Sequence, residues 1–183
     1  YPLEELIVHP RVREDYYKGK IRRESFAYAL EQSRCPVSYH GNLFSAADAS
    51  ALMDEIVRQD VPSDNGETQK QPTLAALMFG RGAVVSPWFF GEMRNLPSST
   101  HLQSFQQFHD RLLTGYAEIM SGHRNTLFKM KELWYYFQCH FPGCEKELKK
   151  IKKAQKLSDY RAAVQAMFAS GRFVEGGFRN PAS

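Results

Sequence analysis

The sequence predicts an α/β region followed by an all-α region, and three observations predict it. Three short apolar runs, at 6–8, 35–39 and 74–79, each end in a polar or glycine-containing cluster and lead into helical periodicity. Beyond residue 96 the apolar residues recur only at spacings of three and four. Hydrophobic residues make up 43% of the 183 and aromatics 13%, enough for a core and too many for a disordered chain.

The first run, Leu6-Ile7-Val8, ends at His9-Pro10-Arg11. A polar loop with Tyr16, Tyr17 and Gly19 leads to a helix carrying Phe26, Ala29 and Leu30 on one face. The second, Cys35 to Tyr39, ends at His40-Gly41-Asn42. Its helix starts at Ser45, with Asp48 three residues on in the manner of a capping box, and Ala49, Leu52, Met53 and Ile56 supply its apolar face. Residues 61–72, rich in Pro, Ser, Asp, Asn, Gly, Gln and Thr, read as a surface loop. The third run, Leu74 to Phe79, ends at Gly80-Arg81-Gly82, and Ser86-Pro87-Trp88 leads into a short helix through Met93. Short, uniformly apolar strands each followed by a helix predict parallel strands covered on both faces.

The pattern changes across Leu96 to Thr100. Leu102, Phe105, Phe108, Leu112, Tyr116 and Ile119 form one stripe, which Ser121-Gly122 breaks. A second helix carries Leu127, Met130, Leu133, Trp134 and Phe137, and Phe141-Pro142-Gly143 turns the chain. Glu145 to Leu157 is a lysine-rich third helix. Ser158-Asp159 caps a fourth with Tyr160, Val164, Met167 and Phe168, ending at Gly171; the tail from Gly176 to Pro181 is extended. The consecutive aromatics Trp134, Tyr135 and Tyr136 read more simply as core, since at least one must pack inside, with stacking on bases as the alternative.

Composition excludes several classes. No stretch approaches the roughly 18 apolar residues of a membrane helix, and no basic, then apolar, then cleavable leader is present. Cys35, Cys139 and Cys144 are an odd count at no metal-like spacing, which reads as reduced thiols in a cytoplasm with no metal site. The net charge of +4 is unevenly spread. Residues 1–100 hold 11 Lys and Arg against 13 Asp and Glu, for −2; residues 101–183 hold 13 against 7, for +6. A basic excess in one region is the electrostatic footprint of a nucleic-acid partner, although a solvated helix face gives the same count.

In stacked strand–helix units, ligands sit on the loops after the strands. His9 and Arg11 follow the first strand, His40, Gly41 and Asn42 the second, and Gly80, Arg81 and Gly82 the third. Glycine lets backbone N–H groups approach an anion, and Arg81 offers a forked donor for phosphate oxygens. Each cluster alone is commonly a turn or a packed histidine. Their order and shared location predict a phosphate-bearing ligand, with His9 beside its ring or the substrate.

His9-Pro10-Arg11 with Tyr17-Lys18-Gly19, Pro36 to Ser45, Leu77 to Ala83 with Ser86 to Phe90, then Gly122-His123-Arg124 and Phe128 to Tyr135, resemble the tRNA-dihydrouridine synthases over nearly the whole chain. The resemblance implies an FMN-dependent enzyme that reduces the C5–C6 bond of uridines in tRNA with NADPH. It implies the last three β/α units of a TIM barrel over residues 1–96, followed by a C-terminal helical bundle that binds tRNA over residues 97–183. It assigns His9, His40, Gly41, Asn42, Gly80 and Arg81 to FMN, and Arg124, Lys129 and Lys131 to the RNA side. Arg11 and the lysine cluster Lys149, Lys150, Lys152 and Lys153 are counted with the RNA contacts.

Two departures stand out. His40 occupies a position where the family usually has asparagine, and the family's catalytic cysteine, active-site lysine and glutamine belong to a barrel half absent from this sequence. A closed barrel takes about 250 residues, and the chain opens on Tyr1 almost directly into a strand. The expectation is therefore a piece of a longer protein. It would either be completed by the missing half, on the same or a separate chain, or pair with its own copy across open strand edges. The alternatives are an RNA-binding module or inactive fragment without chemistry of its own, and a generic phosphate-sugar barrel enzyme, which leaves the basic helical region unexplained.

Overall fold

Leu6–Val8 (β1), Val37–His40 (β2) and Leu74–Met78 (β3) are built from apolar runs too short for helices. They form one parallel sheet in the order β1-β2-β3. Parallel neighbours need crossover connections, and the helices Arg23–Gln32 (α1) and Ala46–Gln59 (α2) lie in them. A computed structural model of the protein describes residues 2–15, 20–59, 74–96 and 100–175. The loops expected around Tyr16 to Gly19 and at 61–72, and the extended tail from 176, lie outside the described residues. So does the Tyr17-Lys18-Gly19 motif.

The register pairs Leu6 with Val37 and Val8 with Tyr39, then Val37 with Leu74 and Tyr39 with Leu77. β3 spends one residue more than β2 between its two pairs. This bulge turns both Leu74 and Leu77 toward the helices. There Phe26, Leu30, Val37, Tyr39, Leu43 and Leu52 form a buried core, with Phe26 edge-on to Tyr39 at 4.9 Å. β2 starts at Val37 rather than Cys35: Pro36 has no N–H to give the ladder, and its carbonyl instead accepts from Leu6 N at 2.9 Å.

The expectation of two covered faces is not met among the described residues. α1 and α2 bury one face only, and Ile7 (52% exposed), Ala75, Ala76 and Met78 (44% exposed) stand open. At the start of α2, Ser45 Oγ accepts from Asp48 N at 3.1 Å while the Asp48 carboxylate accepts from Ser45 N at 2.9 Å, so the box forms with aspartate in its acidic position.

The chain divides into two units, Tyr1–Gly82 and Ala83–Phe178. The division falls inside the short helix Arg81–Val85 (α3), ahead of residue 96 where the composition shifts. Residues 83–96, including the helix Phe89–Met93 (α4), have partners in the second unit. Val84 and Trp88 pack on its core, and the Val85 carbonyl lies 2.7 Å from His140 Nε2.

The second unit contains His101–Ile119 (α5), His123–Phe137 (α6), Glu145–Lys153 (α7) and Leu157–Phe168 (α8). Phe105, Met130, Trp134, Phe137, Ile151 and Tyr160 are fully buried in its core. Thr100 caps α5 by accepting from Gln103 N. The expected third helix stops at Lys153. Ala154 turns extended and Leu157 opens α8 instead, with no side chain capping it, because both Ala154 and Leu157 pack on the core. Ser158 and Asp159 thus lie inside the first turn of α8 rather than before it.

Candidate functional site

Strand ends aim successive residues at one edge of a parallel sheet. His9 follows β1, His40 closes β2, and Gly80 and Arg81 follow β3. The structure brings them together. His9 Nδ1–H donates to the His40 carbonyl at 2.7 Å, which places a proton on Nδ1 and leaves Nε2 as the other ring position. The two imidazoles lie 4.8 Å apart, tilted by 41°. Arg81 Nη2 donates to Asn42 Oδ1 at 3.1 Å, and its guanidinium lies over the Phe44 ring, 5.6 Å from the centroid. Burial holds His40 below the ordinary imidazole range, and the nearby charges of His9 and Arg81 add to this. His40 is therefore a neutral hydrogen-bonding ring at neutral pH, which is what an asparagine would be there in charge but not in shape.

The glycines of the cluster have separate reasons. A Cβ at Gly41 would land on the ring and hydroxyl of Tyr39, and one at Gly82 on the backbone carbonyl of Leu43. At Gly80 a Cβ would meet only His40 Nε2, at 3.5 Å, an ordinary contact. So Gly41 and Gly82 are demanded by packing, while Gly80 leaves space beside His40. Tyr39 is raised above the ordinary phenol value by burial, against the lowering pull of Arg23 and Arg11. Arg11 thus lies near this cluster through Tyr39, on the sheet unit rather than with the lysines. The donor set (one guanidinium held in place, two imidazoles, and an uncrowded glycine backbone) fits a phosphate-bearing group.

The cations assigned to RNA separate into three groups. Lys146, Lys149, Lys150 and Lys153 rim a groove of about 700 Å³ between α7 and α8, floored by Ala162, Ala163 and Ala166. Lys152 instead reaches Gln138 Oε1 at 3.5 Å. On α6, Arg124 is exposed in the first turn, Lys129 pairs with Glu132 at 3.0 Å, and Lys131 Nζ donates to the Ala154 carbonyl at the end of α7. Trp134 is fully buried and donates to the Tyr160 hydroxyl, so it is not placed to stack on bases; Tyr135 is 51% exposed and Tyr136 packs on the core.

Sequence reasoning passed over Phe44, whose ring underlies Arg81; the sole signal was an aromatic two residues past Asn42. It also passed over His109 and His140. His109 joins Asp110 and Tyr160, and His140 sits between the carbonyls of Val85 and Val174 at 2.7 and 2.8 Å. A lone histidine in a helical stripe carries no signal of such a network.

None of the three thiols lies in the strand-end cluster. Burial pushes Cys139 up to about 12, Cys144 is buried beside Ser170, and Cys35 lies two residues before β2. Among the described residues no helix is long and apolar enough to cross a membrane, and no group of His, Cys, Asp and Glu is arranged to hold a metal.

Comparison with known proteins adds to this geometry. Two relatives are probable tRNA-dihydrouridine synthases of Helicobacter pylori. The one from strain 26695 is 28% identical over 123 residues, covering 64% of this chain and 33% of the relative. The one from strain J99 is 26% identical over 165 residues, covering 85% of this chain and 44% of the relative. The chain therefore spans between a third and a half of the length of these relatives. The family model for Dihydrouridine synthase (Dus) matches residues 3–176, through both the strand-end cluster and the helices after it, and the chain belongs to the dihydrouridine synthase family.

Proposed function

We propose that this chain supplies the phosphate-binding end and the RNA-binding helices of an FMN-dependent, NADPH-using enzyme that reduces uridine to 5,6-dihydrouridine in tRNA. The observation that carries the reading is the convergence of His9, His40, Asn42 and Arg81 at the carboxyl ends of three parallel strands in a Dus-family chain. In a complete enzyme these strands would be the last three β/α units of a TIM barrel. The open sheet face around Ile7 and Met78 supports that reading, since a barrel interior would cover it. A further barrel half, on the same or a separate chain, or a second copy of this chain, would complete the sheet.

Arg81, steadied by Asn42 and Phe44, would hold the FMN phosphate, and the backbone at Gly80 would approach it without a side chain in the way. His9, with a proton on Nδ1, would present Nε2 toward the ring system, and His40 would add a neutral donor or acceptor beside it. FMN, when bound, supplies the hydride chemistry. The lysine groove between α7 and α8 would hold tRNA phosphates.

One observation favours a second reading for the chain by itself. In the unit that holds the cluster the thiol is Cys35, two residues before β2 and at the opposite end of that strand from His40, so that unit has no sulfur proton donor there. On that reading it is a binding module. The test is Arg81→Ala in the complete enzyme. Flavin absorbance per mole of purified protein should fall severalfold while the circular dichroism is unchanged; full flavin retention overturns the phosphate assignment.

A further inference from the structure

Within the second unit, α5 and α8 enclose a cleft of about 590 Å³ that the flavin and phosphate roles do not use. That volume lies in the range of small-molecule sites. Its floor is apolar, from Leu113, Val164 and Phe168. Its walls carry polar heads: Gln106 and Asp110 from α5, Arg161 and Gln165 from α8.

Behind the α5 wall, His109 is 1% exposed, and its hydrogen bonds run in a single direction. Trp134 Nε1–H can only donate, and does so to the Tyr160 oxygen at 2.9 Å. The one Tyr160 proton then goes to His109 Nε2 at 2.8 Å, which leaves Nδ1–H to donate to Asp110 Oδ1 at 3.0 Å. Burial holds His109 below the ordinary imidazole range and so favours this neutral form, although Asp110 opposes it. The consequence lies at the rim. The Asp110 side chain is 73% exposed, yet one of its oxygens is tied to a buried chain rooted in the core. Most surface aspartates have no such anchor and rotate freely.

A fixed carboxylate wants two neighbouring N–H donors, and a guanidinium on the facing wall wants an acceptor beside them. Among the four RNA bases, guanine alone carries N1–H and an N2 amino group next to the O6 acceptor on one edge. We infer that the α5–α8 cleft binds a guanine base. The Asp110 carboxylate receives N1–H and N2–H, Arg161 donates to O6 or N7, and the ring lies on the apolar floor. The lining sets one carboxylate, Asp110, against one guanidinium, Arg161, and has no lysine, in contrast to the α7–α8 groove, so its charges balance and it suits a neutral base rather than a phosphate. That the guanine comes from RNA rests on the tRNA reading above.

The experiment uses the full chain, with the Trp134 indole N–H followed by NMR. The probes are guanosine, inosine and adenosine monophosphates, guanosine triphosphate, and short oligouridines carrying one guanine or one adenine. Guanosine monophosphate should shift the Trp134 resonance and bind about tenfold more tightly than the inosine and adenosine forms. The guanine oligomer should outcompete the adenine oligomer to a similar extent. D110N should abolish both preferences while leaving binding of the adenine oligomer unchanged.

Equal affinity for guanine and adenine probes, or a D110N protein that keeps the preference, overturns the proposal. Tight triphosphate binding without discrimination between the oligomers overturns the RNA source and assigns the cleft to a free nucleotide. The two readings fail separately. Oligomer binding without guanine preference removes the cleft assignment and leaves the tRNA reading; a guanine preference among monophosphates with no oligomer binding supports the cleft and removes the tRNA reading.

Discussion

Gly82 has no side chain because the carbonyl of Leu43 occupies the place a Cβ would take. Gly82→Ala should therefore force backbone apart and cost about 1–3 kcal/mol, the usual range for overpacking. Gly115, inside α5, has open space around the same position, and Gly115→Ala should stabilise by about 0.5–1 kcal/mol through helix propensity. Thermal melts of the two variants should move in opposite directions; shifts of the same sign would refute the packing account. His109 gives a prediction in pH. Its folded value is depressed by burial, so below about pH 6.5 the unfolded chain binds a proton that the folded chain does not. Its contribution is complete above that point and is lost as pH falls toward the folded value. Urea midpoints should drop between neutral and mildly acidic pH, and His109→Gln should flatten part of that drop. A wild-type profile no steeper than the variant's would contradict a neutral buried ring. Neither effect was legible in the sequence, because a glycine and a histidine have the same letters whether or not another residue lies against them.

Elements were more legible than residues. β1, the capping box of α2, the stripe of α6 and that of α5 as far as Tyr116 follow from periodicity and caps that act over a few residues, while Ile119, at the end of the expected α5 stripe, is exposed. The α7–α8 joint was not legible, since Ala154 and Leu157 leave the helical pattern only to meet a core built from other elements. Charge roles divide the same way. Lys131 donates to the Ala154 carbonyl and ties α6 to the end of α7, whereas Lys149, Lys150 and Lys153 rim a groove. Lys131→Met should lower stability by about 1 kcal/mol and leave the salt dependence of tRNA binding unchanged. The triple change of Lys149, Lys150 and Lys153 to Ala should leave stability nearly unchanged and reduce the slope of log affinity against log salt by about 2–3. An unaltered slope would make the groove a solvated face.

Among the described residues the molecule presents a three-stranded parallel sheet with one face open, and β1 and β3 at its edges. Unpaired edges and an open apolar face favour pairing with another chain. Produced alone, the chain should show an apparent mass that rises with concentration in sedimentation, and Ile7→Lys with Met78→Lys should suppress the rise. A monomer at every concentration would count against the partner proposal. The order of strands and helices, the location of the basic excess, and the residues at the strand ends can all be read from the amino-acid string, because hydrophobic period, turn chemistry and charge are local properties of the chain. Tertiary structure decided the rest: that His9 bonds the His40 carbonyl, that Arg81 rests on Asn42 and Phe44, that Lys131 is tied down while Lys153 rims a groove, and that Trp134 is inside. These depend on which residues distant in sequence share a place once loops have closed and cores have packed, and no local pattern encodes that distance.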